Sequence, residues 1–163
     1  MRRKRSLRAL GFGRLTPFPG SRLSYGNACI IALEWGECLV KRRLSETDCC
    51  PLCQREAETI LHRLRDCESA KITWSRLGIL SNSCFYEGNL YYWLEKNWKD
   101  NVPRVQNQPP WRIIFPFVIW HLWKQRNNFV FRDRPRQNNV HSEALFHAAE
   151  FFHCVINPKL SGS

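Results

Sequence analysis

Carboxylates are scarce at the start of this chain of 163 residues: none precedes Glu34, and the whole sequence sets 14 Asp and Glu against 25 Lys and Arg. Those present are scattered, with no Asp-Asp pair in a strand-turn-strand setting. Polymerase and nuclease chemistry holds a pair of metal ions on clustered carboxylates, so that chemistry is not expected here. A GxGxxG fingerprint, a P-loop and an HExxH helix are also missing, and the adjacent His153 and Cys154 point different ways if helical. The sequence predicts a protein without catalytic activity of its own. Long apolar runs are lacking too. The nearest, Ile113 to Trp123, is interrupted by Pro116 and His121 and falls short of the roughly 20 residues a membrane-crossing helix needs. No clear apolar segment follows Met1-Arg2-Arg3-Lys4-Arg5, so a reducing compartment is expected, with Cys29, Cys38, Cys84 and Cys154 as free thiols.

What is present is positive charge, tryptophan and cysteine. The net charge of +11 favours polyanionic partners, nucleic acid or an anionic membrane surface. Seven Trp and ten Phe supply ample material for a core. Residues 1–28 read as a basic, disordered tail, whose arginines fit a nuclear address or, being free of acids, an organellar one.

The eight cysteines are not spread evenly. Cys50-Pro51-Leu52-Cys53, His62 and Cys67 form a C-x2-C-x8-H-x4-C pattern, three thiolates and one imidazole within eighteen positions. That ligand set suits a closed tetrahedral Zn²⁺ site with a structural role. Cys49 could replace Cys50; the knuckle spacing to Cys53 and the following proline favour Cys50. The segment Gln54 to Leu61 is expected as a short helix carrying His62 near its end.

Periodicity places further helices over Cys29 to Leu44, Glu68 to Leu77 and Leu90 to Trp98. Trp74 is expected over the zinc-side core, with base stacking as the alternative. A polar, proline-bearing connector at 99–110 separates a zinc-binding helical domain, 29–98, from a Trp-rich helical lobe, 111–157, and 158–163 is a tail. Within that lobe Pro116 predicts a kink, or a helix starting beside it. The fold class is thus mainly α, a small zinc-stabilised module followed by a helical lobe. Lys41, Arg42, Arg43, Arg63 and Arg65, near the finger, are the expected phosphate contacts for non-specific RNA or DNA binding. The alternative is a structural or protein-binding module presenting Trp93, Trp98 or Trp123.

Several of these residues together resemble a known family. Leu39, Lys41, Arg42, the Cys50 to Cys53 knuckle, Glu58-Thr59, His62, Cys67, Ala70, Trp74 and Leu77-Gly78 are similar to the zinc-binding domain that follows the reverse transcriptase of plant LINE-type (non-LTR) retrotransposons. Ile119-Trp120, Leu122-Trp123-Lys124, Arg126-Asn127, Val130 and Phe131 resemble the helical segment beyond that finger. The resemblance covers roughly residues 29–157. It implies a Zn²⁺ on Cys50, Cys53, His62 and Cys67, in a module that helps a polymerase grip RNA or DNA. It also implies a fragment lacking the polymerase and ribonuclease H domains.

Overall fold

The computed structural model describes residues 49–79, 83–104 and 107–156. The expected helix over Cys29 to Leu44, the basic tail, the tail at 158–163 and the cations Lys41, Arg42 and Arg43 lie outside these residues. The described part is mainly helical: α1 (Glu68–Arg76), α2 (Leu90–Lys99), α3 (Trp111–Arg132) and α4 (Val140–Phe151), with π-helical turns at His62–Asp66 and Phe152–Ile156. Among the described residues, β pairing is confined to one antiparallel bridge between Cys49 and Ala57.

Local chemistry fixes where the helices stop and start. α1 ends in a Schellman motif: Gly78 takes φ +78°, its N–H donates to the Ser75 carbonyl, and the Ile79 N–H donates to the Trp74 carbonyl. Asn89 caps α2, its side-chain oxygen accepting from the Tyr92 N–H at 3.0 Å. α3 ends at Asp133, which adopts the left-handed conformation that short polar side chains tolerate.

Pro116 neither starts α3 nor interrupts it. The helix begins five residues earlier and runs 22 residues through the proline. Proline inside a helix costs about 3 kcal/mol, and burial offsets it: Ile114, Phe115, Val118, Ile119 and Leu122 are all at most 2% exposed. On one side of α3 lies α4, whose Val140, Ala144 and Ala148 recur every fourth residue and are buried. α2 packs on α3 as well, and α1 reaches both α3, where Ser69 Oγ donates to Gln125 Oε1 at 3.1 Å, and α4, so the segments before and after the connector share one continuous core. Trp74 is its hub. The indole N–H donates to the Leu64 carbonyl at 2.8 Å, and the ring meets Phe85, Trp93, Trp111 and Phe115 at centroid distances of 4.9 to 6.2 Å. A base could not reach it, since Trp74 is 0% exposed. Trp93 is likewise in the core, and Trp98 and Trp123 are partly buried against it.

The α3–α4 seam contains a titratable group. His121 is 3% exposed, with Nε2 2.9 Å from His147 Nδ1 and Nδ1 3.3 Å from Glu143 Oε2. Burial, helped by the Lys124 charge and His147, pushes its pKa down to about 4, against the pull of Glu143. The folded state therefore binds fewer protons than the unfolded chain between pH 6.5, the ordinary value, and 4. Stability is fully present above that window and is lost as pH falls through it. Urea unfolding should show a loss of about 2 kcal/mol from about pH 7 to about pH 5, and His121→Gln should flatten that limb.

Candidate metal centre

Three short pieces of backbone deliver the four donor side chains. The first is the Cys50 to Cys53 turn, closed by the Gln54 N–H donating to the Cys50 carbonyl at 2.8 Å. Gln54 takes φ 56°, and the chain returns so that the Cys50 N–H donates to the Glu56 carbonyl at 2.8 Å. Gln54 to Leu61 is therefore mostly a knuckle and its return strand rather than the expected helix. His62 is the third residue of a helical stretch that starts at Ile60, and the turn that follows it runs to Asp66.

That turn is π-helical, and the spacing needs it. On an α-helix five residues rotate the chain by about 500°, leaving His62 and Cys67 about 140° apart. Here the Cys67 N–H donates to the His62 carbonyl at 2.6 Å, five residues back, and the wider turn returns Cys67 to the His62 side. Cys67 then serves as the N-cap of α1. Its sulfur sits at the positive end of that helix, where a thiolate is favoured.

The four donor atoms of Cys50, Cys53, His62 and Cys67 all lie within 4.8 Å of one another. Cys50 Sγ is 3.8 Å from Cys67 Sγ, and Cys53 Sγ is 3.3 Å from His62 Nε2. A disulfide would need about 2.05 Å. Two sulfurs each about 2.3 Å from one ion at the tetrahedral angle lie about 3.8 Å apart. Cys50 and Cys67 are fully buried, and the Cys50 sulfur also receives the Leu52 and Cys53 N–H groups. Cys49 stays out of the cluster, its backbone being used in the bridge to Ala57.

Electrostatics within the pair already favour charge on sulfur. The Cys67 thiol hydrogen-bonds to Cys50 and, against the effect of burial, lowers the Cys50 pKa to about 4, while the same contact raises Cys67. His62 is oriented from behind: its Nδ1 lies 3.0 Å from Glu56 Oε2, which leaves Nε2 facing the sulfurs. A carboxylate behind a ligating imidazole fixes its tautomer and raises its basicity. The residues therefore fit a thiophilic divalent ion such as Zn²⁺ in a site without a spare protein ligand.

Arg63 and Arg65 are not on the surface. They are 4% and 7% exposed, and both are engaged. Arg65 pairs with Asp66 at 2.7 Å and donates to the carbonyls of Glu87 and Gly88, tying the π-turn to the start of α2. Arg63 Nε lies 3.1 Å from Glu58 Oε1, out of line for a hydrogen bond. Arg126 of α3 grips the same carboxylate with both Nε and Nη2 at 2.7 Å. Burial raises the Glu58 carboxyl pKa, but the Arg126 hydrogen bonds and the two guanidinium charges outweigh it, so the net shift is downward. Sequence spacing had no means of joining Glu58 to a residue 68 positions away. Glu56 had a weak signal, as an acid between two ligand pairs.

Against known proteins, a stretch of 97 residues, 59% of the chain, is 31% identical to a protein of Arabidopsis thaliana named as a ribonuclease H protein. The chain spans 15% of that protein's length. No family model and no solved structure matches the chain.

Proposed function

We propose that this chain is a metal-stabilised, non-catalytic helical module of retroelement origin that binds RNA or DNA through its backbone. The observation that carries the reading is the Cys50, Cys53, His62 and Cys67 cluster, a three-sulfur, one-nitrogen donor set of the kind that holds structural zinc. The net charge of +11 supports a polyanionic partner. The similarity to a plant protein with a ribonuclease H name accords with descent from a retroelement.

Zinc in this reading folds the chain and performs no chemistry, since four protein ligands leave no position for an activated water. Two measurements test it. Metal analysis of purified protein should return about one Zn per chain. A labelled oligonucleotide should bind with an affinity that falls steeply with salt. Binding that is flat in salt, or absent, removes the nucleic-acid part of the reading.

A further inference from the structure

The cations first expected to touch phosphate are sequestered or lie outside the described residues, yet a different set is presented beside the metal knuckle. Residues 131–139, which finish α3 and lead to α4, are all exposed and contain Arg132, Arg134 and Arg136 against a single acid, Asp133. An exposed loop of this kind would ordinarily be loose. This one is clamped at four points. Arg136 Nη2 donates to the Leu52 carbonyl at 2.8 Å, between the two cysteines of the knuckle. The Gln125 amide donates to the Gln137 carbonyl at 2.5 Å, Arg76 of α1 donates to the Asn138 carbonyl, and the Arg134 N–H donates to the Asn128 carbonyl.

The clamps hold the loop against the knuckle, whose own exposed cation is Arg55. The remaining donors of Arg136 and the whole guanidiniums of Arg132 and Arg134 are left to solvent. Next to them Phe131 is 41% exposed, with the Arg126 guanidinium 5.7 Å from its ring centroid. Guanidiniums carried on a clamped backbone beside an exposed aromatic ring are the two parts of a single-strand site, charges that track phosphates and a face on which a base stacks. An anionic lipid surface would use the charges and gain nothing specific from one half-exposed phenyl ring.

We propose that the clamped loop, through Arg55, Arg132, Arg134 and Arg136 with Phe131, is where a single-stranded nucleic acid lies. The proposal rests on the nucleic-acid reading above and assigns its surface. Four phosphate contacts on a single strand give a slope of log K against log salt of about −2.8.

The test is fluorescence anisotropy of a labelled single-stranded oligonucleotide over a salt series, with variants first checked for unchanged zinc content and circular dichroism. Arg132→Glu with Arg134→Glu should weaken binding by about tenfold or more and shrink the slope by about 1.4. Phe131→Ala should weaken it roughly tenfold with the slope unchanged. Lys99→Glu with Arg112→Glu, an equal charge change at exposed positions at the end of α2 and the opposite end of α3, should move neither by a comparable amount. If the wild type binds and the loop variants match it, the loop assignment is overturned while the nucleic-acid module survives. No binding by the wild type overturns the module itself. Equal or tighter binding to phosphatidylserine vesicles, insensitive to Phe131→Ala, assigns the loop to a membrane and overturns the proposal.

Discussion

Purified His62→Ala protein is expected to contain close to no zinc and to lose cooperative unfolding of the region around the knuckle. Structural zinc contributes an apparent 10–16 kcal/mol or so in small finger peptides at neutral pH, as much as or more than the whole stability of an ordinary domain, about 5–15 kcal/mol. Three thiolates drawn together without a cation would also repel one another. Beyond the burial of Cys50 and Leu52 and the Arg136 hydrogen bond to the Leu52 carbonyl, the knuckle's described ties are the bridge between Cys49 and Ala57 and a few turn hydrogen bonds. The damage should spread beyond the knuckle, because Leu64 and Cys67 are in the same core as Trp74 and Phe115. Cys53→Ala should behave alike. Cys84→Ala, at an exposed thiol outside the cluster, should leave both metal content and melting unchanged. Inductively coupled plasma analysis with near-ultraviolet circular dichroism reads both quantities. Native melting and ordered aromatic signals in metal-free His62→Ala protein would show that the helices fold without the ion.

Much of this was readable from residue order. Helical periodicity located α1 and α2 to within a residue, because each has an apolar stripe and α1 has a terminator in Gly78. The convergence of Cys50, Cys53, His62 and Cys67 was legible because thiolates and an imidazole at short spacing have few other uses. The π-turn was not read, although the H-x4-C step contained the clue: five residues do not close on an α-helical face. The local cost of Pro116 is visible in sequence, whereas the packing around α3 that offsets it is not. Arg63 and Arg65 misled. Cations next to a finger look like phosphate contacts until Glu58, Asp66 and two backbone carbonyls are seen to consume them. The set proposed in their place, Arg132, Arg134 and Arg136, stands in the sequence as a basic run; only folding showed that the run is pinned to the knuckle.

Glu58→Gln is the second substitution expected to be severe, at about 3–5 kcal/mol, and charge counting explains why. A divalent ion on three thiolates and one neutral imidazole leaves a net charge of −1 in a largely buried site. Arg63, Glu58 and Arg126 together contribute +1, so the buried ensemble is neutral. Removing the Glu58 charge leaves two guanidiniums, 4% and 7% exposed, facing each other around an amide, and an unpaired buried charge is among the most destabilising changes a core can suffer. The effect should be almost insensitive to salt, since buried pairs are poorly screened. It should also be partly reversed by adding Arg126→Met, which removes the surplus charge and keeps the stem's packing. Chemical denaturation of the two single variants and the double variant forms a closed cycle. Additive losses would mean that the carboxylate and the α3 guanidinium act independently, and that the link between metal knuckle and central helix is steric alone.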